Sequence, residues 1–235
     1  MSGISSACCI FLMMELKTFD RKTACHVCLR PAAQCICSRV DAMNNRTAVL
    51  ILQFPREQYK QLNSARLVNM ALKNSVLRIG LSWPNLTKAL GRPAAGVWAV
   101  LYLGSGGDGK KPVEILNRKK QPVAMVPQFE GIIALDGTWK QAKTLWWRNP
   151  WLLKLHRIVL NVPSKSLRPQ VKRQALSTAE AVSFALEELG EDKVLCKSLR
   201  MYYERLIIAP NLNKSPTSRL NDNVLSIAMC CNLES

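Results

Sequence analysis

The stretch Ile132-Ile133-Ala134-Leu135-Asp136-Gly137-Thr138-Trp139 runs from four apolar residues straight into a carboxylate, a glycine and a hydroxyl. Read as a strand from Gly131 to Leu135, it delivers Asp136 to the strand's carboxyl end. Gly137 then permits a tight turn. Thr138 opens a helix through a capping box, its side chain accepting from the amide of Gln141 while Gln141 reaches back. Strand, turn and capped helix in that order form the repeating unit of an α/β sheet, and ligands bind at the carboxyl edge of such sheets. Asp136 is therefore a candidate general base, or a holder of a cationic ligand group. Spacing alone leaves open a third role, that of an aspartate capping the helix behind it.

Working outward, Thr47 to Gln53, Ser75 to Ile79, Val97 to Leu103 and Arg157 to Val162 are further apolar runs. Their near-continuous Val, Ile and Leu content predicts strands buried on both faces, a mostly parallel sheet flanked by helices. Leu62, Ala65, Val68, Met70 and Leu72 predict a helix over Glu57 to Asn74. Ser177-Thr178-Ala179-Glu180 is a second capping box, whose helix ends at Gly190. Those first amides could serve an anionic ligand group, although capping explains the same residues without one. Ser105 to Gly109 reads as a turn or loop, and the polar tail after Pro210 as a segment that wraps or dangles. The division expected is an extension over 1–20, a cysteine segment over 21–46, an α/β domain over 47–209 and a tail over 210–235.

Of 235 residues, 48% are apolar, enough for a real core, and 33 Lys and Arg against 16 Asp and Glu leave a formal charge of +17. Disorder, fibrous repeats and a miniature disulfide scaffold are thereby disfavoured. No run suffices for a membrane span. So large a positive excess points to a polyanion, nucleic acid first. From Gly137 to Ala179 there is no acidic residue at all, while Lys140, Lys143, Arg148, Lys154, Arg157, Lys165, Arg168, Lys172 and Arg173 fall inside that interval. Trp139, Trp146, Trp147 and Trp151 are interleaved with these charges. Stacked bases beside neutralised phosphates call for such a set, and so does packing of indoles on a sheet.

Four of the nine cysteines form Cys25-x2-Cys28-x6-Cys35-x-Cys37. Four thiolates at this spacing close a tetrahedral site and leave no open position, so the metal would be structural zinc, with an iron–sulfur cluster or free thiols as alternatives. The odd total suits a reducing compartment, and a cytoplasmic location is expected. Met1 to Met14 lacks the basic start and cleavage site of a secretory leader, and Met13 or Met14 could be the true start.

Cys25-x2-Cys-Leu-Arg-Pro with Cys35 and Cys37, then Leu135-Asp-Gly-Thr-Trp139, then Leu176-Ser-Thr-Ala-Glu-Ala181 together resemble the DTW-domain family of tRNA-uridine aminocarboxypropyltransferases. The namesake Asp-x-Thr-Trp is met by Asp136, Thr138 and Trp139. Gln53 to Ala65 looks like the family's strand-to-helix region, with Phe54 where many members carry histidine. Leu101-Tyr102-Leu103-Gly104 lacks the proline of the corresponding turn. The resemblance implies a core like that of the knotted SPOUT methyltransferases, and transfer of the 3-amino-3-carboxypropyl group of S-adenosylmethionine to N3 of a tRNA uridine. It implies Asp136 as the base, and Leu101, Leu103, Gly104, Asp136, Thr138, Trp139, Ser177 and Thr178 around the donor. Lys140, Lys143, Arg148, Lys165, Arg168, Lys172 and Arg173 are then the candidate tRNA contacts. A SPOUT-type RNA methyltransferase, and a zinc-stabilised RNA-binding protein without catalysis, are the competing readings.

Overall fold

A computed structural model describes residues 24–60, 62–101, 113–161 and 176–211. Among them, β1 (Ala48–Gln53), β2 (Ser75–Ile79), β3 (Val97–Leu101), β4 (Val113–Leu116), β5 (Phe129–Asp136) and β6 (His156–Leu160) form one sheet in the order β2-β1-β5-β3-β6-β4. All pairings are parallel except that of β4 with β6. The helices are α1 (Ser64–Ala71), α2 (Leu86–Leu90), α3 (Trp139–Arg148), α4 (Thr178–Glu188) and α5 (Lys193–Asn211). The chain is thus mixed α/β with a mostly parallel sheet.

Every residue of β1 is buried, and alternate side chains enter two separate cores. Val49, Ile51, Ile132 and Ala134 meet α1, α4 and α5, whereas Leu50, Leu52, Ile133 and Leu135 meet α2 and α3. Burial on both faces is why these strands read as unbroken apolar runs. Each such Leu or Ile contributes roughly 1.5–3 kcal/mol relative to exposure. At Gly131 an added Cβ would stand 2.5 Å from the Trp98 ring and 2.8 Å from the Ala48 carbonyl, so the glycine is required by close approach.

Some elements differ from the sequence reading. The helix expected over Glu57 to Asn74 is only Ser64–Ala71, after a 3₁₀ turn at Pro55–Glu57. Asn63 accepts from the Arg66 amide and starts the helix there, and Leu72 already pairs with Met43 in a β-bridge. β4, the short α2 and the long α5 were not anticipated. The strand expected over Val97 to Leu103 is observed through Leu101. The loop over Ser105 to Gly109 and the tail beyond Asn211 lie outside the described residues. So does the connection 162–175.

The cysteine segment is not a free appendage. Ile36, Val40 and Met43 pack on the core beside α1, α4 and α5, and the Asp41 amide donates to the Tyr202 hydroxyl at 3.3 Å.

Candidate active site and metal centre

β1 and β5 are neighbours, with Gln53 in register with Asp136 at their carboxyl ends. From here the chain departs in opposite directions, β1 through α1 to the outer strand β2, β5 through α3 to β6 beyond β3. Such divergence marks the topological switch point of an α/β sheet, the place where ligands bind in folds of this kind. Parity places Asp136 on the same face as Ile132 and Ala134, toward α1 and α4. Its side chain accordingly meets both. Gln53 Nε2 donates to Asp136 Oδ2 at 2.8 Å, and the Thr178 hydroxyl, in the first turn of α4, donates to Oδ1. Gln53 Nε2 also reaches Asn63 Oδ1, the cap of α1, at 3.0 Å.

Asp136 does not cap α3. Thr138 does, through a complete capping box with Gln141. Gly137 is not left-handed; an added Cβ would meet that of Gln141 at 2.9 Å, so the glycine makes room for the cap. Asp136 is 9% exposed. Burial pushes its carboxyl above the usual range, and the bonds from Thr178 and Gln53 only partly offset this. A carboxyl so placed takes up a proton more readily than an exposed one.

Those of the expected donor residues that the structure describes lie at this edge. Leu101 ends β3 and is buried; Thr138 and Trp139 begin α3; Ser177, which caps α4 in a second capping box with Glu180, and Thr178 stand beside Asp136. Two helix N-termini thus face one strand end, each with free amides suited to an anion. Leu103 and Gly104 lie outside the described residues. Gln53 was missed as a partner of Asp136, and Asn63 as the partner of Gln53; an Asn before Ser-Ala-Arg-Leu was the available helix-start signal.

The four cysteine sulfurs lie within 4.8 Å of one another. Cys25 and Cys37 are 3.5 Å apart, Cys28 and Cys35 3.8 Å. A tetrahedron with metal–sulfur bonds of about 2.3 Å has edges of about 3.8 Å, whereas a disulfide is about 2.05 Å long. Leu29 adopts a left-handed φ of 55°, bending the chain into a knuckle closed by Leu29 N to Cys25 O and Cys25 N to Arg30 O, both 2.8 Å. The amides of Cys28 and Val27 then point at the Cys25 sulfur and hold its thiol down to about 6. Burial pushes Cys28 and Cys37 up, so keeping these two as thiolates at neutral pH takes a cation. The cluster fits a tetrahedral metal.

Trp139, Lys143 and Trp147, four residues apart, share one stripe of α3 with Lys140 close by. Trp139 is 54% and Trp147 64% exposed, and Lys140, Lys143 and Arg148 are exposed as well. The other two indoles are structural. Trp146 lies under the Arg157 guanidinium at 5.6 Å, and Trp151 donates to the Trp83 carbonyl at 2.9 Å. Arg157 is itself buried. Lys165, Arg168, Lys172 and Arg173 lie outside the described residues.

No solved structure matches the chain. It is similar to the tRNA-uridine aminocarboxypropyltransferase 2 of Drosophila melanogaster, 26% identical over 195 residues that cover 77% of this chain and 72% of that one. The protein of the same name from Macaca fascicularis is 25% identical over 198 residues, 79% of this chain and 63% of its own length. The family model of the DTW domain matches residues 22–209. That match takes in both the cysteine knuckle and the switch-point aspartate, and the chain belongs to the DTW-domain family.

Proposed function

We propose that this protein is a transferase that moves the 3-amino-3-carboxypropyl group of S-adenosylmethionine to N3 of a uridine in tRNA and releases methylthioadenosine. The observation that carries the reading is Asp136, a buried carboxyl at the switch point, standing within the family's Asp-x-Thr-Trp. The names of the relatives support the reaction class. Asp136 accepts the N3 proton as the nitrogen attacks the carbon bonded to sulfur and the carbon–sulfur bond breaks, so the sulfonium leaves as a neutral thioether. Thr178 and Gln53 fix both carboxylate oxygens and keep the base oriented. The N-termini of α3 and α4, capped by Thr138 and Ser177, receive the donor's carboxylate, with Leu101, Leu103, Gly104 and Trp139 around the rest of the donor. Zinc on Cys25, Cys28, Cys35 and Cys37 is structural, within a segment spanning 21–46. A SPOUT-like knotted core over 47–209 and a cytoplasmic location belong to the same reading.

Mass spectrometry of tRNA nucleosides after incubation with the protein and S-adenosylmethionine tests it. A uridine heavier by the aminocarboxypropyl group is expected. A methylated nucleoside would instead make the protein an RNA methyltransferase, and bound but unmodified tRNA would make it a binding protein.

The tRNA surface in this reading is the outer stripe of α3 together with Lys165, Arg168, Lys172 and Arg173. Pooled neutral substitution of those four is expected to weaken tRNA binding while donor binding persists. Each lost phosphate contact should also lower the slope of log affinity against log salt by about 0.7–0.9. Unchanged affinity in a filter-binding titration would put the docking surface elsewhere.

A further inference from the structure

Arg30 is a charge in an unusual position. It is 2% exposed, and Nε, Nη1 and Nη2 have no hydrogen-bond partner among the described residues. A guanidinium is never neutral in a protein, and burying one without an anion is strongly unfavourable. It sits two residues beyond Cys28, and its own carbonyl closes the cysteine knuckle by accepting from the Cys25 amide at 2.8 Å. Arg66, on α1, also reaches the knuckle. Its Nη1 donates to the Val27 carbonyl, next to Cys28, at 3.1 Å, and its Nε is buried without a partner among the described residues.

Three states of the four cysteines are chemically available. Without a metal the cluster offers little more than the single charge of the Cys25 thiolate, and disulfides are neutral throughout. Only a tetrathiolate around a divalent ion carries a net double negative charge, so that state gives a buried guanidinium its strongest anion. We propose that Arg30, with Arg66 beside it, is the internal counter-ion of the metal-loaded four-cysteine centre, so that metal binding and the burial of Arg30 stabilise one another. The inference rests on the reading of the cluster as a metal site. It explains why a guanidinium is buried inside the cysteine knuckle. A second role follows for Arg66, which ties the knuckle to the first turn of the helix that leads away from the active-site edge.

Arg30→Met keeps the length and apolar volume of the side chain and removes its charge; Arg30→Lys restores the charge without the fork. In the full chain, zinc is titrated against a chromogenic chelator, and melting is followed with and without zinc under reducing conditions. Arg30→Met is expected to bind zinc about 10- to 100-fold more weakly than wild type, the range for loss of an outer-shell partner, with Arg30→Lys between them. Without zinc the methionine variant should melt higher than wild type, because an unpaired buried charge is gone; with zinc it should melt lower. Equal zinc affinity, or a melting shift of one sign in both states, overturns the counter-ion while leaving the metal site standing. A wild-type chain that takes up no zinc overturns both. Should Arg30→Met fail to fold, Arg66→Gln carries the test: a several-fold loss of zinc affinity supports the proposal, and no loss, with Arg30→Lys also unchanged, overturns it.

Discussion

Asp136→Asn is expected to slow turnover by about 10²- to 10⁴-fold, the usual contribution of a general base, with little change in fold or donor affinity. Asparagine keeps the size of the side chain, and its Oδ1 can still accept from Gln53 while its amide meets the Thr178 hydroxyl. What disappears is the proton acceptor. The same substitution should leave stability intact or raise it. Burial holds the carboxyl of Asp136 above its ordinary value, so the folded state binds its proton more tightly than the unfolded chain. The stability this gives is fully present below the unfolded carboxylate range, and it is lost as pH rises through the folded value. Wild type should therefore lose stability over that interval, while the variant, which cannot ionise there, should not. Single-turnover kinetics beside a pH series of calorimetric scans separates the two effects. Near-normal turnover with saturating donor would remove Asp136 from catalysis. Weakened donor binding with turnover intact at saturation would assign it to the donor's ammonium group.

Losing a metal ligand is the other large effect. Apparent zinc-binding energies reach about 10–16 kcal/mol in small zinc peptides, and in such sites binding energy is folding energy. Cys28→Ser is expected to release the metal and unfold the segment from Ala24 to about Arg46, while the sheet persists on its own two cores. Hydrogen exchange should show amides of that segment losing protection while those of β1 and β5 keep theirs. The baseline is elemental analysis of the wild-type protein, where less than about half an equivalent of any metal would sink the assignment.

Much of this architecture was legible because its signals are local. The apolar run ending at Asp136, the Thr138 and Ser177 capping boxes and the Cys25 to Cys37 spacing each lie within a dozen or so residues, and each element begins or clusters where its chemistry says it should. What stayed hidden depends on contacts distant in sequence. Nothing in the sequence near Gln53 says that β1 will lie beside β5, so its bond to Asp136 could not be read, nor could the hydroxyl of Thr178 be aimed. β4 is four residues long and takes its meaning only from its antiparallel partner. The overlong helix before β2 is a different error: apolar periodicity carried across Asn63, whose side chain starts the helix afresh. Among the tryptophans, burial sorted what spacing could not, turning Trp146 and Trp151 inward and leaving Trp139 and Trp147 outside.

The position of β5 between β1 and β3 has a kinetic consequence. As the chain emerges from a ribosome, β1, α1 and β2 can associate through a short crossover, but β1 and β3 are not neighbours and have no ladder to form with each other. The first hundred residues therefore carry a sheet with a slot in its middle, two unpaired strand edges flanking a place not yet synthesised. Closure waits for Phe129–Asp136 to slide into that slot, a long-range pairing that is slow by topology. Nascent chains halted before β5 should then be the species most dependent on chaperones and most prone to aggregate, and the strand that completes the sheet is also the one that brings in Asp136.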